Sequence, residues 1–339
     1  MEDGFAPPYV NTGHAKAQIE ASRRLSITPS TLRTRLKSSR DRFGLEPDWR
    51  LWKDPTQEKI KNRVEAPAIV RMRAHTTADP PEGPKYRVLT IGDAHQDPKI
   101  PNERFEWIGR YIADEEIDYV YQMGDWSTFD SFSTHDPQAT FAGQLKPRFQ
   151  EDINGHVDSV QRFQRGLGTW VPKRKKIVLG NHDCVVGGRI GKYENFHPEL
   201  VGVLGVLVTD CFEDHGWEWV EYGKIDYLGG VGFVHVPFNE IGREYGGKTA
   251  ESRIANDSVH DLVYGHSHKR RSFRVSKIGP THHVTITNVC CALPWGHVEH
   301  YARHNPTGWW WGVVELTIQG GHITEQKDVS MLELERRYG

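Results

Sequence analysis

Five short polar clusters, each closing a run of β-branched residues, constrain this chain more than any other feature. The runs YRVLTI, IDYVYQM, KKIVL, LGGVGFVHV and DLVY read as buried or half-buried strands, and each ends on a cluster: GDAH, GDW, GNHD, HV and GHSH. Strands interleaved with helix-length stretches imply an α/β layered fold. Ligands in such folds gather where the carboxyl ends of strands meet one crevice. Asp93, His95, Asp125, Asn181, His182, His235, His266 and His268 are therefore expected in one place. Acidic, amide and imidazole groups brought together there are costly to bury without a cation.

The donor set also narrows the chemistry. Carboxylate oxygen, amide oxygen and imidazole nitrogen suit manganese, iron or zinc, and a lack of cysteine ligands disfavours soft-metal chemistry. Two such cations roughly 3.5–4 Å apart neutralise phosphate oxygens and make a water nucleophilic near neutral pH. The order D-x-H, GD, GNHD, H, GHSH resembles the calcineurin-like metallophosphoesterase superfamily over about three quarters of the chain.

That resemblance implies a four-layer α-β-β-α sandwich with two divalent ions, Mn2+ first, with Zn2+, Fe2+ or Ni2+ as alternatives. Asp93, His95 and His268 would hold the first metal, Asn181, His235 and His266 the second, and Asp125 would bridge them. His182 would steady the transition state or protonate the leaving oxygen, with Asp183 orienting its ring. Three departures from the family pattern stand out. Thr128 occupies the place of the second aspartate of GDxxD, leaving Asp130 as the nearest acid. Neither the Arg-Gly nor the GNHE of protein phosphatases is present, which disfavours a phosphoprotein substrate. Val236 follows His235 where the family often has glycine.

The first part of the chain has a different character. Between Asn11 and Leu45 eight basic residues face two acids, although the whole chain carries a net charge of −2. Thr28 reads as a helix N-cap with Pro29 at the first helical position, and Leu32, Leu36 and Phe43 recur at helical spacing behind them. This resembles a helix-turn-helix that presents Ser30, Arg33, Thr34 and Lys37 to a DNA groove. Residues 51–85, rich in proline, read as a linker. The expected organisation is a helix-turn-helix over 1–50, that linker, and a metallophosphoesterase domain over 86–339.

A DNA-binding module on a phosphoesterase raises the local concentration of polymer substrate, so a nuclease acting on DNA phosphodiesters is the leading expectation. The combination is similar to proteins of tailed phages, implying action in a bacterial cytoplasm. One alternative is a phosphodiesterase or phosphatase for small nucleotides. Another is a DNA-binding regulator with a vestigial phosphoesterase domain. A homodimer would be compatible with any of these, though no seam is visible.

No apolar run reaches membrane-spanning length, and the N-terminus lacks the features of a signal peptide. Four cysteines without CxxC spacing read as thiols in a reducing compartment. VTITNV and GVVELTIQGGHITEQ, with its Gly320-Gly321 turn, read as antiparallel strands closing a second sheet. His297 and His322 read as surface or capped residues. The tryptophans at 309–311 read as sheet packing, with base stacking as the alternative. Lys269, Arg270 and Arg271 read either as a grip on a phosphate backbone or as a solvated edge.

Overall fold

In the computed structural model the described residues are 22–23, 25–43, 81–134, 141–184, 188–279, 282–299, 302 and 307–339. The chain divides into two compact units, Met1–Thr76 and Thr77–Gly339. In the first, helix α1 spans Pro29–Phe43. Thr28 Oγ1 accepts from the Thr31 N–H at 3.2 Å, so its hydroxyl satisfies one of the amides the first turn leaves open. The segment proposed as the first helix of a helix-turn-helix lies almost wholly outside the described residues, as does the linker up to residue 80.

The second unit is mixed α/β with two sheets. Its strands are β1 (Tyr86–Ile91), β2 (Tyr119–Gln122), β3 (Arg174–Val178), β4 (Glu218–Val220), β5 (Asp226–Leu228), β6 (Val231–Val234), β7 (Leu262–Tyr264), β8 (Arg270–Ser276), β9 (His283–Val289), β10 (Gly312–Gln319) and β11 (His322–Ser330). One sheet has the order β11-β10-β1-β2-β3-β4, the other β5-β6-β7-β9-β8. β1 to β4 run parallel; β1, β2 and β3 are largely buried, as strands covered on both faces are, while β4 at the edge is largely exposed. β6, β7 and β9 repeat that parallel arrangement in the second sheet.

Three apolar clusters account for the layering. The first packs the helices Glu103–Asp114 (α2), Phe149–Leu167 (α3) and Leu204–Asp214 (α5), with Ile190 of Arg189–Phe196 (α4), onto the six-stranded sheet. The second fills the space between the sheets, with Val88, Tyr121 and Leu316 from one side and Phe233, Val263 and Val289 from the other. The third covers the outer face of the second sheet with Ala250, Ile254 and Ala255 of helix Ala250–Asp257 (α6). Helix Met331–Tyr338 (α7), capped by the Ser330 hydroxyl, closes the chain.

One expectation is corrected here. The hairpin with the Gly320-Gly321 turn extends the first sheet: β10 pairs antiparallel with β1, from Tyr86 opposite Ile318 to Ile91 opposite Val313. Only VTITNV, in β9, joins the second sheet. Both faces of β10 are buried, so alternation could not assign it to one sheet. Among the described residues no helix is long and apolar enough to cross a membrane. All four cysteines are buried thiols.

Candidate metal centre

The loops after β1, β2, β3, β6 and β7 all leave the carboxyl ends of parallel strands, and they carry Asp93 and His95, Asp125, Asn181 and His182, His235, and His266 and His268 respectively. The sheets bring these loops face to face. His95, Asp125, His266 and His268 hold positive φ angles of 42°, 54°, 67° and 59°. Side chains other than glycine disfavour that region by roughly 1–3 kcal/mol each, and such residues cluster where a site dictates the backbone. The glycines of GD and GN make the approach feasible. A Cβ at Gly180 would strike the carboxylate and the backbone nitrogen of Asp125, and one at Gly124 would strike the ring of His235.

Two groups of ligand atoms result, each with all members within 4.8 Å of one another: Asp93, His95 and His268, and Asp125, His235 and His266. In the first, His95 Nε2 lies 3.0 Å from His268 Nε2, which lies 3.0 Å from Asp93 Oδ2. Asp93 Oδ1 accepts the His266 N–H at 2.9 Å, while buried Oδ2 has no hydrogen bond. In the second, Asn181 Oδ1 lies 3.2 Å from His235 Nε2 and 3.1 Å from His266 Nδ1, and Asp125 Oδ2 lies 3.4 Å from His235 Nε2.

The protonation pattern shows what these atoms require. His235 Nδ1 donates to the Met123 carbonyl at 2.6 Å, which assigns the tautomer and leaves Nε2 with a lone pair. That lone pair faces Asn181 Oδ1, itself only an acceptor, and the Asp125 carboxylate. Acceptors facing acceptors in a dry interior are stable only around a positive charge. In the absence of a cation a proton on Nε2 would answer the same demand for positive charge: burial pulls His235 down, but Asp125 and then Asp93 overcome it and raise it to about 10. Burial, reinforced by His268 and His182, holds His95 well below the ordinary imidazole range and so keeps it a neutral donor. The residues present therefore fit divalent cations.

His182 stands beside this centre. Its Nδ1 donates to the Thr128 carbonyl at 2.9 Å, and its backbone N–H donates to Asp125 Oδ1 at 2.8 Å. Burial lowers its pKa to about 4. Asp183 does not orient this ring, contrary to the sequence expectation. Its carboxylate accepts from the backbone N–H groups of Trp126, Ser127 and Gly180, so it ties the Asp125 loop to the Asn181 loop. Burial, and then Asp125, raise it to about 7.

Thr128 ties a third loop. Its N–H and its hydroxyl both donate to the Gln96 carbonyl, next to His95. Arg104 donates to the carbonyls of Ala94 and, at 3.4 Å, His95.

Sequence reasoning missed Arg189. Its Nη1 donates to the Thr128 carbonyl and pairs with Asp130 Oδ1 at 2.8 Å, and its Nη2 reaches His182 Nε2 at 3.4 Å. It lies on α4, beyond GNHD, and only its basic type in a run of neutral residues could have drawn attention. Glu244, also missed, stands 3.7 Å from His266 Nε2 and accepts from the Tyr222 hydroxyl.

The basic rim is partly structural. Arg270 is bound to Asp328 and Gln326, and Arg271 pairs with Glu251. The Trp309 ring lies 4.2 Å from that of His268, while Trp217 packs into the core with Trp126. On α1, Ser30 and Thr34 hydroxyls are engaged locally, with Thr28 and with the Ser30 carbonyl, whereas Lys37 is exposed. The side chain of Arg33 lies outside the described residues.

No protein-family model and no curated protein matches the chain. Among solved structures it is similar to Vps29 from Entamoeba histolytica. A single-site mutant of that protein is 14% identical with a TM-score of 0.32, and the match covers 72% of this chain and 99% of that one. Wild-type Vps29 complexed with zinc is 13% identical with a TM-score of 0.30 and the same coverage. GAP50, an anchor in the inner membrane complex of Plasmodium, is 9% identical with a TM-score of 0.22, over 75% of this chain and 95% of that one.

Proposed function

We propose that this chain is a metal-dependent phosphoesterase of the four-layer metallophosphoesterase type, and that its substrate is the phosphodiester backbone of DNA. The observation that carries the reading is the convergence of His235 Nε2, Asn181 Oδ1, His266 Nδ1 and the Asp125 carboxylate on one small space at the strand ends. Asp93, His95 and His268 would hold one cation and Asn181, His235 and His266 the other, with Asp125 shared, and manganese is the first choice. The chemistry that such a pair supplies is Lewis acidity toward phosphate oxygens and toward a nucleophilic water.

The chain's own groups do the rest. His182, its Nδ1–H spent on Thr128, presents Nε2 for proton exchange with the departing oxygen. Arg189, anchored by Asp130, donates to the non-bridging phosphate oxygens. Exposed Arg35, Lys37 and Arg42 on α1 support a DNA substrate, since such contacts to phosphates are independent of sequence and raise local polymer concentration.

The test is hydrolysis by the manganese-loaded full chain of plasmid DNA, linear DNA and bis(p-nitrophenyl) phosphate. Cleavage of DNA that Arg35→Glu with Lys37→Glu weakens, with the chromogenic ester unaffected, is expected. Turnover of the ester without cleavage of any DNA form would replace the DNA substrate with a small nucleotide. No turnover of either by metal-loaded protein would end the enzymatic reading.

A further inference from the structure

Asp261, His283 and His322 form a third group whose ligand atoms all lie within 4.8 Å of one another. It is separate from the centre described above. Asp261 immediately precedes β7, whose other end leads to His266, and the five residue steps from one to the other span roughly 16 Å as extended chain.

The group joins the two sheets. Asp261 Oδ1 accepts the Thr285 N–H of β9 at 2.8 Å, and Oδ2 accepts the Ile323 N–H of β11 at 2.8 Å. His283 opens β9 in the second sheet and His322 opens β11 in the first, and their rings stack with centroids 4.5 Å apart at 28°. A carboxylate that is fully buried and bound to two strands is a rigid donor, and its two amide bonds leave lone pairs on both oxygens.

His322 Nδ1 shows what is missing. It is buried and makes no hydrogen bond, and Asp261 Oδ1 stands 3.6 Å away. That separation is too long for a hydrogen bond. It suits two ligands on one ion, since bonds of about 2.0–2.1 Å in tetrahedral geometry put donor atoms roughly 3.4 Å apart. Two imidazoles and one carboxylate select a borderline divalent cation over magnesium or calcium, and three protein ligands leave a fourth position for water.

We propose that Asp261, His283 and His322 bind one zinc-class divalent cation that clips β11 of the first sheet to β9 of the second. Binding to the folded chain stabilises it by mass action. None of the three residues belongs to the phosphoesterase centre, so the clip and the activity are separable.

The experiment compares the full chain with His283→Ala/His322→Ala after equilibration with Zn2+ and removal of excess, reading zinc by mass spectrometry and Tm with and without zinc. The wild-type chain is expected to retain one equivalent more than the variant. At a hundredfold excess over Kd, its Tm should exceed that of the variant by roughly 5 °C more than it does in chelator. Hydrolysis of the chromogenic ester should be unchanged in the variant. Equal zinc content in the two proteins, or an equal Tm response, would overturn the proposal and leave Asp261 as a hydrogen-bonded clamp. Should the double variant not fold, His322→Ala alone gives the same reading, since that side chain is already 36% exposed.

Discussion

Arg189 Nη2 lies 3.4 Å from His182 Nε2, the ring nitrogen that Thr128 leaves available. Asp130 and the Thr128 carbonyl fix the other arm of the same guanidinium. The arginine is thus pre-aimed at the spot where a phosphate would meet the histidine. Arg189→Ala is expected to lower kcat on phosphodiesters roughly 10²-fold, the scale of losing one preorganised donor, with metal content intact. Arg189→Lys should recover little, because an ammonium cannot hold Asp130 and a phosphate in the same fork. An unchanged kcat in the alanine variant would remove Arg189 from the site.

Gly180→Ala tests the packing of the two central loops. The added methyl meets the Asp125 carboxylate and backbone, and neither can retreat, because the His182 N–H and Asp183 hold them. Loss of at least one metal equivalent is expected, together with a destabilisation of about 2 kcal/mol typical of overpacking. Wild-type metal content measured on the purified variant would show that the loops yield.

Much of this was legible in the sequence, and the exceptions have physical causes. YRVLTI could be read directly as β1 because a strand buried on both faces is a continuous apolar run. The eight polar residues after the strands could be expected in one place because each follows such a run, and the structure brings their loops together. β8 could not be read: RRSFRVS is an edge strand whose arginines pair with Asp328 and Glu251, far away in sequence. Arg189 and Glu244 were invisible for the same reason, since their partners come from other loops. His322, read as a surface residue, gained significance only when β11 brought it to Asp261.

Asp152 on α3 is a buried carboxyl that should cost stability at neutral pH. Burial, with Asp130 and Asp97 adding to it, raises its pKa from 3.8 to about 6, against the pull of the Ser131 N–H. A folded-state pKa above the unfolded one means stability that is full below about pH 4 and lost as pH rises through about 6. Asp152→Asn keeps an acceptor for Ser131 without the charge. At pH 8 the variant should be more stable than wild type by about 1–3 kcal/mol, from about two pKa units at 1.36 kcal/mol each, and the gain should vanish near pH 4. Chemical denaturation at the two pH values checks this. A variant less stable at pH 8 would mean that the charge has a partner.

Cation loading should couple the centre to global stability. Asp93 and Asp125 are almost fully buried carboxylates from different strands of the first sheet, and His235 and His268 come from the second. A cation among them would tie the sheets at their carboxyl ends and exists only in the folded chain. Manganese at a hundredfold excess over Kd should then add about 2.7 kcal/mol, raising Tm by roughly 5–10 °C over chelator-treated protein. Asp93→Asn should remove most of that rise, because an amide supplies neither the charge nor the second lone-pair set of Oδ2. Calorimetry with and without manganese reads both. A Tm indifferent to the metal in the wild-type chain would mean that His235 and its acceptor neighbours reach balance by protonation alone.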